Sequence, residues 1–92
     1  MKIYKYELNN MCFLSSNTIM NMPGNKILDI QLQDDVIVAW VEIRDISILV
    51  ERVFEFFVTG QEIPEGMGTD RKYLKTLQYN GFVAHVYEYL GV

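Results

Sequence analysis

The chain has 92 residues, enough for one domain with a modest core, and half of them are hydrophobic, which excludes an intrinsically disordered protein. The net charge of −4 disfavours broad binding to nucleic acid backbones, and the longest wholly apolar run, residues 36–41, is far below the ~20 residues that cross a bilayer. One cysteine and no apolar leader favour a reducing, cytoplasmic location.

The first half of the chain predicts short strands separated by turns. Residues 2–8 alternate between apolar and polar side chains, which is typical of a half-buried strand, and the lysines suit a sheet edge. Residues 9–16 predict a loop that buries apolar side chains, and residues 17–22 predict a short strand. A turn is expected at residues 23–25, because proline and glycine favour turn geometry.

The middle of the chain predicts a hairpin and then an ambiguous segment. Residues 27–33 alternate and residues 36–43 are apolar on both faces, so we expect an outer and a central strand joined by a turn at Asp34 and Asp35. Residues 44–57 show helical spacing but are rich in β-branched residues. We expect a turn at residues 45–47 and a strand to residue 59, with a short helix over residues 45–52 as the alternative.

The end of the chain carries the clearest local signal. Asn80 and Gly81 separate two strand-like segments, and this pair favours a type I′ hairpin turn. Three pairs are therefore expected to face each other: Tyr79 and Phe82, Leu77 and Ala84, Thr76 and His85. We predict a single all-β domain over residues 1–92, a small antiparallel sandwich or open barrel of about six or seven strands.

Three segments carry a family resemblance: MKIYKYEL at residues 1–8, TGQEIP at 59–64 and GFVAHVYE at 81–88. They resemble an uncharacterised family of small phage-encoded domains, and the resemblance covers the chain in order except residues 9–16 and 44–51. The family has no established activity, so no site residue follows from it. The resemblance implies a viral or prophage origin, host-cell cytoplasm as the location, and a counter-defence or accessory binding role.

A basic segment that follows two glycines predicts an anion site. Backbone N–H groups near Gly68 could converge on a phosphate, Arg71 and Lys72 supply positive charge, and Tyr73 could stack on a base. The predicted ligand-binding residues are Gly68, Thr69, Arg71, Lys72, Tyr73 and His85. The alternative is a flexible loop with solvated basic ends, because the spacing matches neither a P-loop nor a dinucleotide fingerprint.

Other candidate residues each have a structural alternative. His85 could be a general base, or it could be hydrogen-bonded within a sheet to Thr76 or Tyr87. Cys12 is expected to be an ordinary buried thiol, and one histidine with one cysteine cannot build a structural zinc site, so no metal or cofactor is predicted. Three rings are predicted to form either core or an interface: Phe54, Phe56 and Phe57.

The apolar content exceeds what one small core absorbs, which predicts self-association as a homo-oligomer. We expect a non-enzymatic, phage-type binding protein that sequesters a phosphate-bearing nucleotide at a subunit interface or blocks a host protein. The alternative function is a structural or assembly component of a phage particle. A small hydrolase that uses His85 is a third hypothesis.

Overall fold

The computed structural model describes residues 1–14, 17–23, 26–44 and 48–91, which form an all-β fold of two sheets. The strands are β1 (Lys2–Asn10), β2 (Asn17–Pro23), β3 (Ile27–Gln33), β4 (Val36–Ile43), β5 (Leu49–Val58), β6 (Arg71–Tyr79) and β7 (Phe82–Tyr89). A 3₁₀ turn at Met11–Phe13 follows β1. All pairings are antiparallel, so the predicted fold class and the strand number are confirmed.

Sheet A contains three strands in the order β1-β4-β3. The predicted edge position of β1 and central position of β4 are both confirmed. Val38 on β4 is buried although it lies outside the core cluster, on the outer face of the sheet. Long side chains from the flanking strands cover it, because Lys5 Nζ donates to Gln33 Oε1 at 2.8 Å across β4.

Sheet B contains four strands in the order β2-β5-β7-β6. The ambiguous segment forms a strand from Leu49 to Val58, so the helix alternative is wrong for residues 49–52. The β-branched and aromatic side chains pack on both faces of a sheet in which β5 pairs with β2 and β7, and this tertiary pairing outweighs the helical spacing. Of the turn predicted at residues 23–25, Pro23 instead ends β2, while residues 24–25 and the turn predicted at residues 45–47 lie outside the described residues.

The two tight turns adopt the left-handed backbone that type I′ geometry requires. Asn80 and Gly81 have φ of 44° and 83°, and Asp34 and Asp35 have φ of 50° and 67°. The three predicted cross-strand pairs of the β6–β7 hairpin are confirmed. A register shift between Tyr73 and Lys75 interrupts this ladder, and Leu74 at the shift packs against the core.

The core lies between the facing sides of the two sheets. Its buried residues are Leu8, Met11, Met22, Ile30, Ile37, Ala39, Val41, Ile43, Phe54, Phe56, Leu77, Ala84 and Val86. Met11 is buried as the sequence predicts for its segment, but Cys12 is exposed, so the expectation of a buried thiol is wrong. Successive residues of a 3₁₀ turn point about 120° apart, and the turn therefore buries Met11 while it directs Cys12 to solvent.

Over the part of the chain that the structure describes, no helix has the length and hydrophobicity needed to traverse a membrane.

Candidate functional site

Arg71, the centre of the predicted anion site, is engaged within the protein. Its Nε donates to Glu55 Oε1 at 2.8 Å and its Nη1 donates to the Pro64 carbonyl at 2.5 Å. The guanidinium carbon lies 5.7 Å from the centroid of the Phe57 ring, and the side chain is 10% exposed. These contacts fix residues 59–70, which connect β5 to β6, to the outer face of sheet B. They leave the guanidinium little surface for a phosphate.

The other predicted anion-binding groups do not converge. The Thr69 hydroxyl donates to the Gly66 carbonyl at 2.5 Å, and the Gly68 carbonyl accepts from the Tyr89 hydroxyl. Lys72 is exposed but follows Arg71 directly in β6, so the two side chains point to opposite faces of the sheet. The structure therefore does not bring the glycine loop and the two cationic side chains together into a phosphate-binding site.

Tyr73 and His85 do share a face, where they belong to one chain of hydrogen bonds. The Tyr73 hydroxyl lies 2.7 Å from Thr76 Oγ1, which lies 3.0 Å from His85 Nδ1. His85 Nε2 lies 2.9 Å from Thr59 Oγ1. Hydroxyl groups hold both ring nitrogens, so the interpretation of His85 as a sheet residue bonded to Thr76 is confirmed. None of these partners is a carboxylate that would orient the ring for general base catalysis.

The three phenylalanines predicted as core or interface are all buried, with exposed fractions of 0% to 4%. Phe54 and Phe56 lie in the core between the sheets. Phe57 lies on the outer face of sheet B, where Arg71 and an edge-on contact with Tyr87 cover it. Phe54 and Phe56 therefore fit the core interpretation. The interface interpretation of the three rings stays a prediction, and the burial of all three gives it no support.

A different part of the molecule forms a concave, mainly apolar surface, which we call the end groove. It lies where the 3₁₀ turn, the end of β5 and the β6–β7 hairpin meet, and its volume is about 530 Å³. Its lining residues are Met11, Cys12, Leu14, Phe56, Val58, Gln61, Tyr79, Asn80 and Phe82. None of them is Asp, Glu, Lys or Arg. A site of this size and composition suits an apolar group better than an anion.

Phe82 is the most distinctive residue of the end groove, because this large apolar residue is 64% exposed. It is the first residue of β7 and faces Tyr79 directly after the type I′ turn. Hydrogen bonding and charge interaction with the Asp35 carboxylate raise the pKa of the Tyr79 phenol above its ordinary value of 10.0. The hairpin that presents Phe82 thus lies beside the β3–β4 turn of the other sheet.

Backbone hydrogen bonds hold the remaining walls of the end groove. The Met11 amide donates to the Asp35 carbonyl at 2.8 Å, which attaches the 3₁₀ turn to sheet A. Gln61 makes two hydrogen bonds with Val58, the last residue of β5. Its side chain accepts from the Val58 amide at 3.2 Å and its own amide donates to the Val58 carbonyl at 3.0 Å. Hydrogen bonds within the chain therefore hold these walls of the end groove in place.

Sequence reasoning missed the end groove. The turn at Asn80 and Gly81 could have indicated that Phe82 stands beside a hairpin tip, where an aromatic ring is hard to cover. The sequence offers no signal that Cys12 and Leu14 lie across from that tip, because the two segments meet only when the sheets stack.

Among the described residues, no group of three or more His, Cys, Asp and Glu side chains is placed to hold a metal ion. A family model described as Domain of unknown function (DUF7352) matches residues 1–91. The chain belongs to this family. The DUF7352 match spans the two segments that the sequence resemblance left out, residues 9–16 and 44–51. No curated protein and no solved structure matches the chain.

Proposed function

We propose that this DUF7352 protein is a non-catalytic binding protein that docks an apolar segment of another protein in the end groove. If the chain is phage-encoded, as its resemblance implies, the partner is a host protein and the effect is stoichiometric inhibition of a host defence. The observation that carries the proposal is the exposed side chain of Phe82 beside a groove whose lining residues are all uncharged.

The composition of the end groove supports a protein partner. Aromatic residues at the centre of an apolar, desolvated patch contribute most of the binding free energy in protein interfaces. Phe82 and Tyr79 are aromatic, and Met11 and Leu14 add flexible apolar surface around them. A partner that buries a leucine or aromatic side chain against these groups gains from apolar burial without having to desolvate a charge.

The nucleotide version of the proposal has less support. It requires Arg71 to face a phosphate, whereas Arg71 is paired with Glu55 and with the Pro64 carbonyl. Lys72 and Tyr73 are exposed and could still contact an anion, but they lie on different faces of β6. We therefore favour the protein partner over sequestration of a nucleotide.

Cys12 makes the proposal testable, because it is the only cysteine and lines the end groove. A thiol-reactive photo-crosslinker on Cys12 is used to capture the partner from a host extract, and the captured protein is then purified. Calorimetry with the unlabelled chain is expected to show that Phe82→Ser weakens binding about thirtyfold, which corresponds to about 2 kcal/mol for loss of an interface hot spot.

The matched control is Leu28→Ser, which removes a partly exposed apolar side chain from β3 and is expected to leave the affinity unchanged. Docking is also expected to slow alkylation of Cys12 in the complex. Equal affinities for the Phe82 variant and the native chain, or alkylation of Cys12 at the same rate in the free and bound states, would show that the end groove is not the binding site.

A further inference from the structure

The outer edge of β1 has no strand paired to it among the residues that the structure describes. β1 is nine residues long, has a register shift between Glu7 and Asn9, and is exposed at each position from Lys2 to Lys5. The opposite edge of sheet A is more covered, because β3 lies against β6 more extensively than β1 lies against β2 and the Lys75 ammonium contacts the Asp29 carboxylate at 3.1 Å. A long uncovered edge is a template for pairing with another strand.

The side chains of β1 have a charge pattern that complements itself. Lys5 and Glu7 are both exposed and lie on the outer face of sheet A, on either side of Tyr6. When two such strands run antiparallel about a two-fold axis at Tyr6, Lys5 of each strand lies opposite Glu7 of the other, and its ammonium exchanges the contact with Gln33 for one with the Glu7 carboxylate. Tyr4 then faces Leu8 on the other side of the sheet. Opposite charges and apolar pairs in these positions stabilise a two-stranded ladder.

Other registers are less favourable. An axis at Lys5 places the two Lys5 ammonium groups directly opposite each other, which is repulsive. An axis at Tyr4 places Lys5 opposite Ile3, and fewer residues of the two strands are then paired. A shift by one residue would place core-side and solvent-side faces on the same surface. Of these registers, only the one with its axis at Tyr6 places both Lys5 and Glu7 opposite a residue of opposite charge.

We propose that β1 pairs with β1 of a second copy of this chain, centred on Tyr6, to form a continuous six-stranded sheet across the dimer. The order of strands is β3-β4-β1 followed by β1-β4-β3 of the partner. Such an isologous contact is closed by its two-fold symmetry and does not propagate into fibres. This inference uses a different surface from the end groove, so it holds or fails independently of the proposed function.

Exchanging the charges at Lys5 and Glu7 tests the proposed dimer. Analytical ultracentrifugation over a range of concentrations is expected to show a dimer for the native chain. Lys5→Glu and Glu7→Lys are each expected to raise the dissociation constant at least tenfold, since each places like charges opposite one another. The double variant Lys5→Glu with Glu7→Lys restores the opposite pairing and is expected to return to within about threefold of the native value.

Two controls separate pairing from net charge and from folding. Lys72→Glu and Glu62→Lys change the net charge by the same amounts at exposed positions outside β1 and are expected to leave the dimer intact. Urea unfolding reports whether Lys5→Glu folds after it loses its contact with Gln33. Amide exchange in β1 is expected to slow in the dimer. A native chain that stays monomeric, single variants that dimerise normally, or a dimer lost only in Phe82→Ser would overturn the proposal.

Discussion

Arg52 and Glu88 form a two-pronged ion pair, in which Nε and Nη2 of Arg52 each lie 2.7 Å from a carboxylate oxygen of Glu88. Both side chains are only 13% exposed, and the guanidinium carbon lies 5.9 Å from the centroid of the Phe54 ring. The pair thus lies beside the core, at the junction of β5 and β7. Such a pair is costly to break from one side, because the remaining charge stays poorly hydrated.

We expect Glu88→Gln to lower the free energy of unfolding by about 2–4 kcal/mol, since the poorly hydrated Arg52 guanidinium would lose both of its hydrogen bonds to the Glu88 carboxylate. The measurement is urea unfolding at neutral pH. Replacing both residues by leucine is expected to cost less than Glu88→Gln alone, because the double variant removes both charges of the pair from this poorly hydrated position. A double variant that is less stable than Glu88→Gln would contradict this account.

Asp29 and Lys75 link the two sheets and predict a pH effect. The hydrogen bond from Lys75 is the largest cause that holds the pKa of Asp29 below its ordinary value of 3.8. A lowered carboxyl pKa contributes stability above the unfolded value, and this contribution is lost as the pH falls through the folded value. The pair is solvent-accessible, with exposed fractions of 38% and 42%, so we expect a contribution of less than about 1 kcal/mol.

The Asp29 effect is measured by urea unfolding from neutral pH down to below about pH 3. Asp29→Asn is expected to be slightly less stable than the native chain at neutral pH and to match it at the acid end. Lys75→Met is expected to remove the same acid-dependent difference. If the free energies of unfolding of the native chain and Asp29→Asn differed by the same amount at all pH values, the lowered pKa of Asp29 would not contribute to stability.

The raised pKa of Tyr79 predicts that the stability of the fold changes at alkaline pH. The hydrogen bond to Asp35 raises the pKa of the phenol, so its contribution to stability is present below the unfolded value near 10.0 and is lost as the pH rises through the folded value. Subtracting the absorbance titration of Tyr79→Phe from that of the native chain isolates this tyrosine among six. Asp35→Asn is expected to lower the pKa of Tyr79. An unchanged titration would show that Asp35 is not its partner.

Arg71 is expected to stabilise residues 59–70 rather than to bind a ligand. Lysine cannot reach Glu55 and the Pro64 carbonyl together, so we expect Arg71→Lys to cost about 1–3 kcal/mol and to speed proteolysis within residues 59–70. Lys72→Met, at the neighbouring exposed position, is expected to change stability by less than about 0.5 kcal/mol. Equal effects of the two substitutions would contradict this role.

Calorimetry against a panel of mono-, di- and cyclic nucleotides at low salt provides the corresponding binding test. Because Arg71 is internally paired and Lys72 points to the other face of β6, we expect no measurable heat. Binding that Lys72→Met abolishes would reinstate nucleotide sequestration as the favoured function.

Local chemistry made much of the fold predictable. Asn80 and Gly81 tolerate positive φ, so they set both the turn and the register of the β6–β7 hairpin without help from the rest of the chain. Residues 36–43 are apolar on both faces, and this pattern alone indicates a central strand. Residues 49–52 were harder, because helical spacing and β-branching disagree there and only pairing with β2 decides between them.

The candidate sites were less predictable, for a physical reason that Arg71 and Phe82 illustrate. Composition shows that a guanidinium is present, but a partner 16 residues away in the chain decides whether it is available. A ring at a hairpin tip can be covered or exposed, and neighbouring segments determine which.

The sequence by itself determined the strands other than the start of β5, the two tight turns and the family, because these depend on backbone preferences and on the order of residues along the chain. Only the tertiary structure decided which charges are neutralised internally, that the predicted phenylalanine surface is buried, and that Cys12 and Phe82 border one groove. These outcomes depend on how two sheets stack, and stacking brings together side chains whose separation along the chain carries no local signal.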